Sequence, residues 1–322
     1  MPRTCYVRLS ILALCFALFD PSASAAPSAG APGRMVDVGG RRLHLVCVGT
    51  GSPTVVFESG LGEGWYSWAL VQPKVGEHFR ACSYDRSGIG FSDPDPAART
   101  VARLVDDLHE LLLRSGEPGP YLLVGHSLGG LSVRRYAKRY PAGVAALVLV
   151  DSVHEDGRRD TPPEVEAARK KALAARAGQL AQWHASGHFE EMDFHDKLPK
   201  NLATLLTPRS ATAAWWDARF AENTLPDASD SLTAAERHLD VPIVVITATE
   251  WPTPVGYPAA PWKQQLATRL RLQDELATRS DHSKHLFAKT EHSVQLADPA
   301  LVVNAIAEAV REWRASTDTG RP

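Results

Sequence analysis

The sequence has few cysteines, no cluster of basic residues and no apolar run long enough to cross a bilayer. Its 35 basic and 37 acidic residues are scattered, which argues against a nucleic-acid partner or an anionic membrane surface. The apolar run Leu9–Phe19 is about half of the roughly 20 residues that a spanning helix needs, so we expect no stable membrane insertion. The cysteines lack the companions of a zinc site or a cysteine nucleophile, and we expect neither metal nor cofactor. With 44% apolar and 22% charged residues, the chain can build a full hydrophobic core.

Residues 1–25 have the composition of a secretory signal peptide. Arg3 and Arg8 form a positively charged start, an apolar stretch follows, and Ala23-Ser24-Ala25 offers small residues for cleavage. The alternative is a buried N-terminal helix. We predict an exported protein, periplasmic or secreted, in which residues 26–33, rich in Ala, Pro, Ser and Gly, form a flexible lead-in.

Export changes the interpretation of the cysteines. Cys5 and Cys15 would leave with the signal peptide, whereas Cys47 and Cys82 would stay in the mature chain. Two cysteines in an oxidising compartment are candidates for one disulfide bond, and the alternative is a pair of unreacted buried thiols.

Short apolar runs alternate with helical patterns in the first half of the chain. Val101–Arg114 carries apolar residues at helical spacing, and a second helical segment covers residues 128–140. The runs Tyr121–Val124 and Ala145–Val150, on either side of that second helix, are continuously apolar. Continuous apolar strands separated by helices indicate a parallel sheet covered on both faces, so the sequence predicts an α/β fold.

The stretch 153–240 differs from this pattern, because it is rich in alanine and charge and favours helix. The buried-strand pattern resumes at Val241–Thr247, and Leu286–Lys289 is a candidate for the last strand. We therefore predict a sheet domain formed by residues 34–152 and 241–316, with a helical cap inserted at 153–240. Five tryptophans are candidates either for lining a pocket or for ordinary core packing: Trp65, Trp68, Trp183, Trp215 and Trp216.

The segment Gly125-His126-Ser127-Leu128-Gly129 lies between a predicted buried strand and a predicted helix, which is the context of a nucleophile elbow. Such a turn strains the backbone at the serine, so the neighbouring side chains must be small. At the helix N-terminus, backbone N–H groups and the helix dipole favour negative charge that develops near the hydroxyl. Ser127 is therefore the candidate nucleophile.

With this motif the sequence resembles the α/β-hydrolase superfamily over nearly the whole chain after the signal peptide, outside the cap. Ser59–Gly62 follows the third predicted strand, where the family has its oxyanion loop, although Ser59 replaces the usual histidine. Tyr84–Ser92 is similar to the family's segment after the fourth strand, and Glu291-His292-Ser293 resembles the loop of the catalytic histidine. The resemblance implies an α/β-hydrolase fold, with a mostly parallel central sheet, helices on both faces and a helical cap.

The resemblance also assigns the groups around the nucleophile. It implies that the backbone N–H groups of Leu61 and Leu128 bind the oxyanion, and the departure at Ser59 does not affect backbone donors. A serine needs a base that accepts its proton near neutral pH, and His292 has the family's position for that base, before the C-terminal helix. His126 adjoins the nucleophile in sequence, but adjacent residues on such a turn point apart.

The acid of the triad holds the imidazole tautomer, and in this fold it follows the sixth or the seventh strand. After the seventh strand, relatives usually carry an aspartate where this chain has Trp251, with Glu250 one place earlier. Asp151 ends the sixth strand, where some superfamily members place their acid, and we prefer it. Glu250, Glu155 and Asp156 remain alternatives, and Asp151 could instead only cap the turn after its strand.

The family's strand order implies two further expectations. Cys47 and Cys82 would lie on the neighbouring second and fourth strands, within disulfide range, so we expect a bond between them. Asp85 and Arg86 are expected to hold the loop after the fourth strand together and not to act on substrate.

These residues predict a carboxylesterase-like serine hydrolase that cleaves a small-molecule ester, or else an amide or lactone, through an acyl-enzyme. Ser127 argues against epoxide hydrolases and haloalkane dehalogenases, which use an aspartate nucleophile. A cofactor-free perhydrolase or haloperoxidase shares the triad and remains an alternative. A non-catalytic binding protein on the same fold is another alternative, although the serine and the histidine are both kept. The sequence leaves the natural substrate and the oligomeric state open.

Overall fold

The computed structural model describes residues 30–194, 196, 198–225 and 237–318. The predicted signal peptide and residues 26–29 of the lead-in lie outside these ranges. The strands are β1 (Arg34–Asp37), β2 (Arg42–Val48), β3 (Thr54–Glu58), β4 (Ala81–Tyr84), β5 (Tyr121–His126), β6 (Val144–Val150), β7 (Ile243–Ala248) and β8 (Ser283–Ala288). They form an eight-stranded sheet in the order β1-β2-β4-β3-β5-β6-β7-β8. β2 is antiparallel to both of its neighbours, and the remaining pairs are parallel.

Helices cover both faces of the sheet. The helices are α1 (Gln72–Val75), α2 (Val101–Ser115), α3 (Leu128–Arg139), α4 (Pro163–Ser186), α5 (Lys200–Ser210), α6 (Ala213–Asn223), α7 (Ala259–Leu276), α8 (Val294–Ala297) and α9 (Pro299–Asp318). Side chains of α2 and α3 pack on one face, and those of α1 and α9 pack on the other. The predicted α/β-hydrolase fold is thereby confirmed. Within the described ranges, no helix combines the length and the apolarity that a membrane crossing requires.

Strand β6 shows why its sequence is continuously apolar. Leu147 and Leu149 belong to the core on one face of the sheet, whereas Val148 and Val150 belong to the core on the other. Successive strand side chains point to opposite faces, so a strand covered on both sides needs apolar residues at every position. Each fully buried aliphatic side chain contributes about 1.5–3 kcal/mol, which anchors the end of this strand firmly.

Two strand predictions differ from the structure at their ends. Strand β7 starts at Ile243 and not at Val241, because Pro242 has no N–H group for the ladder, although its carbonyl accepts from the Leu147 N–H at 2.9 Å. Strand β8 already begins at Ser283. Its first residues lie at the edge of the sheet, where Ser283 is partly buried and Lys284 is exposed, so they carry no apolar signal.

Helices α4, α5 and α6 lie in the stretch predicted as the cap, between β6 and β7. Helix α4 is 24 residues long, and its one buried residue is Val165. The cap packs on the sheet domain through an aromatic cluster, in which the Tyr66 ring lies 6.1 Å from Trp215 and 5.2 Å from Phe194. Leu198, Ala203 and Leu206 of the cap are buried in the same hydrophobic cluster.

The five tryptophans singled out in the sequence serve packing. Trp65, Trp68 and Trp215 are buried in the hydrophobic clusters. Trp183 and Trp216 contact each other between α4 and α6, with ring centroids 4.7 Å apart. None of the five lines the cavity that holds Ser127.

Cys47 on β2 and Cys82 on β4 are direct partners in the antiparallel register, and their sulfur atoms are bonded. The bond closes the inter-strand pair with Cα atoms 4.1 Å apart. Together with Glu117 they form the one trio of potential metal ligands among the described residues. Because the sulfurs are bonded to each other and Glu117 pairs with Arg80 at 2.7 Å, this trio is a disulfide beside an ion pair.

Candidate active site

Ser127 occupies the turn between β5 and α3 with φ 51° and ψ −117°, a conformation that side-chain-bearing residues rarely adopt. Two hydrogen bonds tie this turn to the end of β6. The Ser127 N–H donates to Val150 at 3.1 Å, and the Ser127 carbonyl accepts from the Val153 N–H at 2.9 Å. A Cβ atom at Gly129 would collide with the Glu58 carbonyl, which explains the glycine two residues after the serine.

Asp151 follows β6 in a second strained turn, with φ 45°, and is the other non-glycine residue with positive φ in the described ranges. Its side chain is buried and lies between two neighbouring loops. Oδ2 lies 2.6 Å from Nδ1 of His292, and Oδ1 accepts the Ala248 N–H at 2.9 Å. The strained turn therefore aims the carboxylate at the histidine loop and at the end of β7.

Trp251 and Arg269 complete the surroundings of Asp151. Trp251 Nε1 donates to Asp151 Oδ2 at 3.1 Å, and the Arg269 guanidinium pairs with the same carboxylate while lying 4.6 Å from the Trp251 ring. Trp251 stands where relatives usually carry an aspartate, and it hydrogen-bonds the acid of the neighbouring strand. Sequence reasoning noticed the exchange at Trp251 but not this contact. Arg269 was not predicted, because an arginine in a helical segment has no sequence feature that points to the site.

The other candidate acids of the triad are either exposed or paired with an arginine. Glu250 is exposed, and its backbone N–H donates to Thr290 at 3.0 Å. Glu155 is buried and pairs with Arg279 at 2.9 Å. Asp156 pairs with Arg237 at 2.7 Å. Among the candidate carboxylates, Asp151 is thus the one that the structure brings to His292.

His292 lies in the loop between β8 and α8, with its Nδ1 side on Asp151 and its side chain 34% exposed, so that the ring reaches the cavity. Burial lowers the pKa of His292 well below the usual range, and the charges of His126 and Arg269 act in the same direction, against Glu63. An imidazole with a lowered pKa is neutral at pH 7 and can accept a proton.

His126 points to the histidine loop. Its Nε2 lies 3.0 Å from the His292 carbonyl oxygen, and its Nδ1 lies 3.3 Å from Glu63. Although burial opposes ionisation of Glu63, the attraction of His126 lowers the pKa of this carboxyl to about 2. His126 therefore supports the loop that carries the candidate base, which agrees with the expectation that it points away from Ser127.

The two expected oxyanion donors lie at the same cavity as Ser127. Leu61 belongs to the loop after β3, and Leu128 is the first residue of α3. Within the described part of the chain, neither backbone N–H donates a hydrogen bond, so both can serve a ligand. Leu128 also lies at the N-terminus of a helix, whose dipole favours an anion there.

The cap holds the oxyanion loop at the residue after Leu61. Glu222 of α6 accepts the Gly62 N–H at 2.6 Å, and Arg219, one turn earlier on α6, donates to the Gly62 carbonyl at 3.2 Å. Gly62 has φ 67°, and a Cβ atom there would meet the Arg219 side chain. Both polar groups of Gly62 are thus bound by one helix of the cap.

Arg86 connects this contact to the sheet. Its guanidinium donates to Glu222 at 2.8 Å, to Glu58 at 2.7 Å and to the Ser59 carbonyl at 2.7 Å. Asp85 accepts backbone N–H groups of the loops on either side, including that of Trp65 at 3.0 Å. Arg86 and Asp85 thus organise the loops, as expected from the sequence.

A cavity of about 410 Å³ lies between the sheet domain and the cap. Ser127, Asp151 and His292 line it, together with Leu61 and Leu128. The first turn of α4, including Val165, forms the opposite wall. The structure therefore gathers the five residues expected to form the site around one space large enough for a small ligand.

The chain is similar to known proteins in sequence and in fold. The sequence matches the alpha/beta hydrolase fold family over residues 53–305. The putative carbamate hydrolase RutD of Yersinia enterocolitica is 35% identical over 114 residues, which are 34% of this chain and 41% of RutD. The chain covers only 37% and 41% of the length of two other curated relatives.

Solved structures match over a longer range. The esterase from Thermogutta terrifontis has a TM-score of 0.61 at 23% identity, over 88% of this chain and 99% of the esterase. The enol-lactonase from Burkholderia xenovorans has a TM-score of 0.58 at 19% identity, over 86% of this chain and 99% of the lactonase. At these identities the likeness shows the fold alone, but the family match covers most of the sequence, and the chain belongs to the alpha/beta hydrolase family.

Proposed function

We propose that this protein is an exported serine hydrolase that cleaves carboxylic esters through an acyl-enzyme. One observation carries the proposal: the strained Ser127 turn and the pair of buried Asp151 with His292, 2.6 Å apart, border the same cavity. The names of the three relatives described above, an esterase, an enol-lactonase and a putative carbamate hydrolase, all refer to hydrolysis at a carbonyl carbon. They support the reaction class, and they leave amides and lactones as other substrates of the same chemistry.

In the proposed mechanism, Ser127 Oγ attacks the ester carbonyl carbon while His292 Nε2 takes its proton. The N–H groups of Leu61 and Leu128 hold the oxyanion of the tetrahedral intermediate, a contribution worth about 10²–10³-fold per donor. His292 returns the proton to the departing alcohol, and a water molecule then repeats the two steps on the acyl-enzyme. Asp151 keeps the Nδ1 proton in place and stabilises the imidazolium.

Export is part of the proposal. The bond between Cys47 and Cys82 supports it, because disulfides persist in oxidising compartments. The test is N-terminal sequencing of the protein recovered outside the cytoplasm. A start near residue 26 is expected, whereas recovery of the uncleaved chain in the cytoplasm would contradict export.

Ser127→Ala tests the nucleophile. Hydrolysis of a p-nitrophenyl ester should fall on the order of 10⁴-fold or more, with loss of the acyl-enzyme burst. A serine-directed phosphonate should label wild-type Ser127 and leave the variant unlabelled. Ser186→Ala, an exposed serine on the cap, is the matched control and should keep full activity. Substantial hydrolysis by clean Ser127→Ala protein would refute the mechanism.

A further inference from the structure

Aliphatic side chains line the cavity next to the expected oxyanion donors, together with Glu222 of α6. The aliphatic side chains come from the oxyanion loop, from α2, from α3 and from the segment after α6, and they pack into one cluster: Leu61, Val101, Leu128, Leu131 and Leu225. Leu61 and Leu128 belong to this cluster with their side chains and to the oxyanion site with their backbones. A carbonyl group held by those N–H groups therefore lies against aliphatic side chains.

The side of the cavity next to His292 is aromatic. The Trp251 ring centroid lies 4.5 Å from that of His292, Trp262 lies 6.3 Å from Trp251, and Tyr257 lies 5.5 Å from Trp262. All of these residues line the cavity. The contacts form a continuous series of rings that starts at the candidate base and leads away from it.

Ester chemistry assigns one part of the substrate to each side. The carbonyl oxygen must meet the Leu61 and Leu128 N–H groups, so the acyl group lies next to the aliphatic cluster. The alcohol oxygen must receive its proton from His292, so the alcohol group extends along the ring series. We propose that the substrates are esters of a small aliphatic acid with an alcohol that carries an aromatic ring.

The dimensions of the cavity support small groups on both sides. A volume of about 410 Å³ lies toward the lower end of the roughly 300–1,000 Å³ typical of ligand pockets. It accommodates a short acyl chain together with one ring. This inference rests on the proposed ester hydrolysis and specifies its substrate class.

The test compares benzyl butanoate with cyclohexylmethyl butanoate, which share the acyl group and differ little in size and in the acidity of the alcohol. Contact between aromatic rings beyond simple burial predicts a kcat/KM about 3- to 10-fold higher for the benzyl ester. Trp262→Leu should bring the ratio close to one, because Trp262 is only partly buried and its loss leaves the triad in place. Trp216→Leu, a cap tryptophan outside this cavity, should keep the wild-type ratio.

The acyl side has its own variant. Leu225→Ala should raise kcat/KM for benzyl esters of longer or branched acids relative to benzyl butanoate, without changing the preference for benzyl over cyclohexylmethyl. Equal rates on both butanoates, or a wild-type ratio in Trp262→Leu, would overturn the assignment of the alcohol side. Phosphonate labelling of Ser127 without hydrolysis of either ester would overturn the substrate class alone. Absence of both labelling and hydrolysis would refute the proposed function as well.

Discussion

The sheet domain and the cap build the cavity in different ways. The sheet domain contributes Ser127 and Asp151 from strained turns at the ends of two buried parallel strands, whose backbones are hydrogen-bonded to their neighbours. The cap contributes α4, which buries only Val165 along its 24 residues and covers the cavity with its first turn. The groups whose positions must be accurate to a few tenths of an ångström thus come from the hydrogen-bonded sheet domain.

We expect the sheet domain to carry the catalytic groups and the cap to set substrate selectivity, but the two parts are not independent. Among the described residues, Glu222 and Arg219 of the cap bind both polar groups of Gly62, in the expected oxyanion loop. A change in the sheet domain should therefore act mainly on kcat. A change in the cap should act on substrate preference, except at this contact.

After the nucleophile, the largest effect should come from Asp151, the candidate acid of the sheet domain. Asp151→Asn keeps the shape but offers a hydrogen-bond donor to Nδ1 of His292, which selects the wrong tautomer. The rate of ester hydrolysis should fall about 10³–10⁴-fold with little loss of stability. Glu250→Gln is the matched control and should be nearly silent, because Glu250 is exposed. The reverse outcome in the two variants would assign the acid to Glu250 and leave Ser127 and His292 in place.

Removal of the disulfide bond tests whether the stability of the sheet domain can be lowered without a change in its kcat. The loop between Cys47 and Cys82 spans a sequence separation of 35 residues. For a loop of this length, the chain-entropy model predicts that Cys47→Ser with Cys82→Ser lowers the free energy of unfolding by about 3–4 kcal/mol. Urea unfolding measures this loss, and kcat below the transition should stay unchanged. Two titratable thiols per chain in the unreduced, denatured mature protein, made in an oxidising compartment and lacking Cys5 and Cys15, would contradict the bond.

The contact between the cap and the oxyanion loop should have a smaller effect. Arg219→Met removes the donor to the Gly62 carbonyl and lets the loop shift, so kcat should fall about tenfold, well below the 10²–10³-fold cost of losing an oxyanion donor outright. KM should change little, because Arg219 is not part of the cavity wall. Arg176→Met, also on the cap and outside this cavity, is the control and should leave kcat unchanged. An effect on KM alone would place Arg219 in substrate binding.

The smallest effect is a shift in pH dependence. In the proposed mechanism His292 acts in its neutral form, and its pKa is lowered by burial and by the charges of His126 and Arg269. The acid limb of kcat/KM should therefore lie below the ordinary histidine pKa of about 6.5, with activity lost as pH falls through it. Arg269→Gln removes one of these charges and should move the limb to higher pH. Arg271→Gln, an exposed arginine on the same helix, should leave it in place. A limb that does not move would contradict this role for Arg269.

The fold was largely predictable because its signals are local. Continuous apolar runs predicted β5 and β6, and helical spacing predicted α2, within a few residues of the observed ends. The prediction was less accurate at β8, where an edge strand with partly exposed residues has no apolar pattern. Edges and caps bury little surface, and so their sequences are weakly constrained.

The site was predictable to the extent that one residue or one turn defines it. The Ser127 motif is complete within five residues, because the sharp turn and the small neighbours are properties of that segment alone. His292 required the resemblance to a family, since twelve histidines are chemically equivalent in a sequence. The tryptophans show the limit, because Trp251 and Trp262 line the cavity and the five that were singled out do not.

The alternation of buried strands and helices and the strained serine turn were predictable from the sequence alone, because both depend on residues that are neighbours in the chain. The tertiary structure was needed to show which carboxylate meets His292, because Asp151 and Glu250 follow adjacent parallel strands, but Asp151 is buried against His292 and Glu250 is exposed. It also decided that Arg269 pairs with the acid and that the cap binds Gly62. These contacts join residues far apart in the chain, and their energies depend on distances that no local pattern encodes.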